Sequence, residues 1–238
     1  MGGVAPHGAE VGGKAMLTGV ACAAAIVAVA YSVWFVGRQG TPWAGTVVQT
    51  AAVLLLVLLG VLQGAPGWIV AGLGLGALGD LALSRPGERA FLVGMAAFAA
   101  GHLAYAAAFW LRGVAVVADG ASDWAGLWVL APVVVIIALT EVWLAPHTAA
   151  LRWPVRAYGG VIGVMAGVVA LLPGHSGLAV VQVGAALFVV SDVLLAVRMF
   201  RVTDAGRAAV LAHLVWPTYW VGHALIVLGS LFYWAPKG

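Results

Sequence analysis

Of the 238 residues, 64% are hydrophobic and only 8% are Asp, Glu, Lys or Arg, against roughly 25% charged in a soluble domain. This composition excludes a soluble enzyme or a nucleic-acid-binding module. The net charge of +3 falls in the breaks between apolar runs, the pattern of membrane topology.

A helix needs about 20 apolar residues to cross a hydrocarbon core of about 30 Å. The first such run, Ala15 to Val36, exceeds the roughly 7–15 residues of a signal-peptide core, and Lys14 is late for a leading charge. It reads as a retained first span. Its cysteine, Cys22, is the only one and cannot form an internal disulfide. The following spans run from Gly45 to Leu62, Pro66 to Ser84, Arg89 to Leu111, Trp124 to Trp143, Val155 to Leu172, Gly177 to Phe200 and Gly206 to Tyr233. Gly40-Thr41-Pro42, Gly64-Ala65-Pro66, Arg85-Pro86-Gly87, Ala145-Pro146-His147 and Pro173-Gly174 punctuate them. The expectation is an all-α membrane helix bundle of about eight transmembrane helices, a single domain over residues 1–238.

Cations test that count. The odd-numbered loops carry Arg38, Arg85, Arg89, Arg152, Arg156, Arg198, Arg201 and Arg207, while the other side carries Lys14, Arg112 and Lys237. The bias predicts odd loops in the cytoplasm and both termini on the non-cytoplasmic side, as an even number of spans requires.

Ionisable groups inside spans are costly and mark functional sites by default. Asp80 lies near the end of the third span, His102 is central in the fourth, and Glu141 is near the end of the fifth. Asp192 lies deeper in the seventh, and His213 and His223 are in the eighth. Helical spacing puts Asp80, His102, Asp192 and His223 each on a face with small or aromatic residues. The faces are Gly72, Gly76, Asp80; Gly94, Phe98, His102, Tyr105, Phe109; Gly184, Phe188, Asp192 with Ser191 and Leu195; and Trp216, Tyr219, His223.

Plainer readings stand beside these. Gly72 and Gly76 suit a close helix contact without chemistry. Tyr105, Tyr158 and Tyr219 suit packing residues with a polar end, and Glu141 suits a side chain reaching for the interface. An aspartate in lipid must repay about 2.5–3.5 kcal/mol of insertion cost, which makes Asp80 and Asp192 the first functional candidates. Pro217 cannot donate to the carbonyl of His213 and is expected to kink the last span.

A repeat is also suggested. Gly79-Asp80-Leu81-Ala82-Leu83, Arg85 and Gly101-His102-Leu103-Ala104 parallel Ser191-Asp192-Val193-Leu194-Leu195, Arg198 and Gly222-His223-Ala224-Leu225. Spans 3–4 and 7–8 are then parallel copies, each supplying one Asp and one His.

These segments, GDLAL (Gly79 to Leu83), FLVGMAAFAAGHLAYAAAF (Phe91 to Phe109), VGAALFVVSDVLLAVRMF (Val183 to Phe200) and YWVGHALIV (Tyr219 to Val227), resemble the YhhN-type lysoplasmalogenase family of multi-spanning membrane enzymes. Tyr158 with Met165 fits that family's sixth helix, whereas the second span has Gln49 and Thr50 where members often have Lys-Pro. The resemblance implies hydrolysis of the vinyl-ether bond of lysoplasmalogen without a recognised cofactor. The products are a fatty aldehyde and a glycerophosphoethanolamine or glycerophosphocholine. Such a bond is cleaved by protonating its β-carbon, leaving an oxocarbenium ion that water captures. The donor is a carboxylic acid that keeps its proton near neutral pH, a state that low dielectric favours, and a second carboxylate stabilises the cation and activates water. Asp80 and Asp192 are the expected catalytic pair, in either assignment of acid and base. His102, Tyr105, Tyr158, Ser191, Tyr219 and His223 are expected around the substrate, with Arg85 or Arg198 at its phosphate.

Two alternatives stay open. A zinc hydrolase would use His102, His213, His223 and an aspartate, although H-E-x-x-H is absent and His213 and His223 lie off one helical face. A proton- or ion-coupled transporter would use buried acids in broken helices. A retinal Schiff base has no partner, since Lys14 and Lys237 are the only lysines and both lie outside the spans.

Overall fold

The computed structural model describes residues 7–37, 43–118, 134–135, 137–138 and 140–235. Apolar runs become helices because, in lipid, a backbone can satisfy its N–H and C=O groups only internally. The helices are α1 (His7–Trp34), α2 (Trp43–Leu62), α3 (Gly67–Leu83), α4 (Glu88–Ala118), α5 (Arg152–Ala170), α6 (Leu178–Phe200) and α7 (Ala205–Trp234). Thus α5, α6 and α7 are the sixth, seventh and eighth predicted spans. Most of the fifth, Trp124 to Trp143, lies outside the described residues, as do Arg38 and Lys237. Its end is a π-helical turn, Thr140–Leu144.

Six helices are long and apolar enough to cross a membrane, and α3, at 17 residues, is shorter. The chain is an integral multi-pass membrane protein. Val29, Val33, Leu58, Val93 and Val210 stay exposed on the outer faces, as expected where the solvent is hydrocarbon.

Helix ends follow the predicted punctuation. Pro66 precedes α3 in an extended conformation, and the Asp204 carboxylate caps α7 by accepting from the Arg207 amide at 2.8 Å. One helix overruns its predicted end. Instead of stopping at Leu111, α4 continues to Ala118, because Arg112 donates to the carbonyl of Tyr233 at 3.1 Å and stands over the Trp234 ring. A cation that caps a neighbouring helix costs little where it sits. Helix α7 passes through Pro217 unbroken, with the Thr218 hydroxyl donating to the Leu214 carbonyl at 2.7 Å.

The most extensive contacts are α3 along α4 and α6 along α7. Successive helices from α1 to α4 pack in order, α5 bridges α4 to α6, and α7 returns to touch α1, α2 and α3. This closes the bundle. At its centre Tyr105, Phe109, Phe188, His102 and His223 are fully buried.

Candidate active site

The site begins with glycines. A Cβ on Gly72 would stand 2.5 Å from the Tyr105 ring and one on Gly79 would stand 2.6 Å from the Phe98 ring. A Cβ on Gly76 would stand 3.0 Å from both His223 Nε2 and the Tyr219 hydroxyl. One face of α3 is therefore bare backbone on which four rings lie, and Asp80 follows one turn further along it. The predicted Gly-x-x-x-Gly is a helix contact and the floor of a polar site together.

Asp80 is 5% exposed. Tyr219 donates to its Oδ2 at 2.9 Å and the Gln49 amide to its Oδ1 at 2.9 Å, while Tyr31 donates to Gln49 Oε1 at 2.8 Å. Both oxygens are thus held by neutral donors from α7 and α2. Trp216 steadies Tyr31, edge-on at 4.5 Å, and donates its own indole N–H to the Ala28 carbonyl at 3.0 Å.

Asp192, 7% exposed, has different company. Tyr158 donates to Oδ1 at 3.1 Å, and His102 Nε2 stands 3.0 Å from Oδ2. The other ring nitrogen, Nδ1, is 2.9 Å from the Phe98 carbonyl, which can only accept, so Nδ1 bears the hydrogen. Nε2 and Oδ2 then face one another, both buried and neither with a hydrogen-bond partner. His102 stacks on Phe188 at 4.3 Å between centroids, 20° from parallel. His223, its counterpart on α7, bonds Tyr105 instead, Nδ1 to the hydroxyl at 2.7 Å.

Both carboxyls open on one cavity of ≈ 840 Å³, whose wall includes Tyr31, Gln49, Ser191 and Tyr219, with Arg85, Glu88 and Arg198 toward the helix ends. Phe35, Leu83, Phe91, Leu195 and Val215 give it apolar sides. The structure brings together Asp80, Asp192, His102, Tyr105, Tyr158, Ser191, Tyr219, His223, Arg85 and Arg198 around this space or directly behind it. His213 is set apart, exposed and bonded to the Ala209 carbonyl. Among the described residues no three His, Cys, Asp or Glu side chains converge as metal ligands do. Glu141 pairs with Arg156 on the exterior.

The sequence reading missed Tyr31 as a site residue and read Gln49 only as a departure from a pattern. Each is a polar group in an otherwise apolar run, a signal available beforehand. Phe188 was placed on the right face, but its stacking on His102 was not foreseen.

The repeat has a physical counterpart. A Cβ on Gly101 would meet the Gly72 carbonyl oxygen at 3.1 Å, and one on Gly222 would meet that of Gly184 at 3.0 Å. In each case an aspartate lies eight residues beyond the glycine whose carbonyl is met and a histidine follows the other. The same close crossing is built twice.

Fold and site define a class: a multi-pass membrane protein with two buried carboxyls on a lipid-sized cavity inside the bundle. The chain belongs to the YhhN family, whose model matches residues 44–230. No curated protein and no solved structure matches it.

Proposed function

We propose that this protein is an intramembrane hydrolase that cleaves the vinyl-ether bond of lysoplasmalogen, with Asp80 and Asp192 as the acid–base pair. One observation carries the reading: two nearly buried carboxyls, differently partnered, line one amphipathic cavity. Membership of the YhhN family supports it.

One carboxyl gives its proton to the β-carbon of the vinyl ether, whose π electrons form the new C–H bond and leave an oxocarbenium ion. The other accepts a proton from the water that adds to this cation. Collapse of the resulting hemiacetal returns the hydroxyl proton to the first carboxyl, while the second protonates the departing glycerol oxygen. Aldehyde and glycerophospho-alcohol leave, and both carboxyls regain their starting states. General acid–base catalysis of this kind contributes about 10²–10⁴-fold. Tyr158, Tyr219 and Gln49 fix the carboxyl rotamers, so the reacting oxygens need no reorganisation. The predicted cation bias puts the arginine-lined end of the cavity at the cytoplasmic surface.

The test is aldehyde release from lysoplasmenylethanolamine by purified, chelator-treated protein. Release that survives chelation and collapses in both Asp80→Asn and Asp192→Asn is expected. Folded wild-type protein that releases no aldehyde would overturn the substrate, and activity abolished by chelation would favour the zinc reading.

A further inference from the structure

Phe188 is 1% exposed, carries no polar side-chain atom and stands behind the cavity wall rather than on it. Four rings of the site nevertheless meet it. His102 lies 4.3 Å away between centroids, 20° from parallel, and His223 lies 4.4 Å away at 49°. Tyr219 and Tyr105 meet it edge-on at 5.8 and 6.1 Å. Two of the four, His102 and Tyr219, are the side chains that face Asp192 and Asp80.

Gly184, Phe188 and Asp192 follow one another at four-residue steps along α6, as Gly72, Gly76 and Asp80 do along α3. The two rows differ only at the middle place. On α6 the imidazole of His102 rests its face on Phe188 and brings Nε2 to 3.0 Å from Asp192 Oδ2. On α3 a histidine also lies on the middle residue, since a Cβ on Gly76 would stand 3.0 Å from His223 Nε2. There no ring lifts the imidazole, and its Nε2 is buried against bare backbone without a hydrogen-bond partner. The phenol of Tyr219 takes the Asp80 oxygen instead.

The seat on α6 has to be held. His102 Nε2 and Asp192 Oδ2 are buried without hydrogen-bond partners, and an unpaired buried polar atom favours any rotamer that finds it one. Three contacts resist that turn of the imidazole. They are the Nδ1 bond to the Phe98 carbonyl at 2.9 Å, the Tyr158 ring at 5.8 Å and 80°, and the Phe188 stack. The stack is the closest of the ring contacts and near-parallel, a geometry that aromatic pairs favour when offset. We infer that Phe188 is a positioning residue whose ring seats His102 against Asp192, while the glycine at the matching place on α3 leaves His223 short of Asp80. A histidine from the opposite helix pair is offered to both rows, and the middle residue selects whether it meets the carboxyl. The seating stands on this geometry; its consequence for rate rests on the hydrolase reading above.

A double-mutant cycle tests this. Phe188→Leu stays apolar but removes the flat face, and should lower kcat about tenfold with KM within about threefold. On a His102→Asn background the same substitution should change kcat by less than about twofold, because the residue it acts through is gone. Equal fold losses on the two backgrounds would mean packing alone and overturn the proposal. Phe188→Met, whose unbranched side chain adapts to irregular gaps, repeats the cycle if Phe188→Leu does not fold. A second readout needs no turnover. In protein carrying isotope-labelled histidine, the NMR signals of the His102 ring nitrogens are assigned by their loss in His102→Asn. They should shift in Phe188→Leu as the Nδ1 bond to the Phe98 carbonyl loosens. Unchanged nitrogens in folded Phe188→Leu protein overturn the seating, whatever the rate. Shifted nitrogens in a protein whose wild type releases no aldehyde uphold the seating and remove the hydrolase reading.

Discussion

Helix pairs α3–α4 and α6–α7 make the same glycine-lined crossing, yet their aspartates are furnished differently. Counting from Gly101 and Gly222, the residue three places earlier is Phe98 on α4 and Tyr219 on α7, and the next residue is His102 or His223. Each aspartate is partnered by the second helix of the other pair. Asp80 of α3 takes a phenol from Tyr219 of α7, and Asp192 of α6 takes the imidazole of His102 from α4. Phe98 has no hydroxyl to offer Asp192, and His223 is engaged by Tyr105. One substitution of ring type at a matching place separates a carboxyl that takes a phenol from that helix from a carboxyl that faces an imidazole. The same kind of crossing holds an aspartate twice, and partner choice makes the two carboxyls unequal, as the proposed acid–base chemistry requires.

The comparison breaks most sharply at the carboxyls. Asp80→Asn and Asp192→Asn should each lower the rate of aldehyde release by about 10²–10⁴-fold. The double variant should be little worse than the poorer single one, because groups that act as a unit are not additive. Additive losses would mean that the two act independently.

Next come the histidines. His102→Asn removes the imidazole that faces Asp192, and should cut kcat about 10- to 100-fold with KM within about threefold. His223→Asn, which touches neither carboxyl in the hydrogen bonds above, should keep kcat within about threefold. Equal kcat losses from the two would remove the asymmetry.

The glycines within these crossings are not equally crowded. A Cβ on Gly184 would meet the Ile226 amide nitrogen at 2.8 Å and the Gly222 carbonyl oxygen at 2.9 Å, whereas the closest atom at Gly101 is at 3.1 Å. Gly184→Ala should therefore cost about 1–3 kcal/mol of stability, and Gly101→Ala less. Unfolding midpoints in detergent read the order directly, and the reverse order would contradict the packing.

The smallest effects sit at the phenols. Tyr219→Phe leaves one oxygen of Asp80 without a donor and should cost roughly three- to tenfold in rate. Tyr158→Phe should cost less, since Tyr158 is half-buried and water can replace its hydroxyl.

The apolar runs and their breaks were enough to predict a multi-pass all-helical protein, because a hydrocarbon solvent leaves a twenty-residue apolar segment no alternative to helix. The same cost of burying polarity made Asp80, Asp192, His102 and His223 stand out, and three- and four-residue spacing assigned each to a helical face that the structure buries. Arg112 shows one limit. A charge ends a span in a one-dimensional reading, yet α4 runs past it because the Tyr233 carbonyl of another helix receives it.

Pairing was decided only in three dimensions. No spacing along the chain joins Gln49 to Asp80 or His102 to Asp192, contacts 31 and 90 positions apart. They arise where bare glycine faces let helices approach until side chains from opposite pairs meet. Sequence fixes which residues each helix presents to its neighbours, since that depends on local periodicity. Which presented residue bonds which depends on how closely and at what angle whole helices cross, and that is settled by packing.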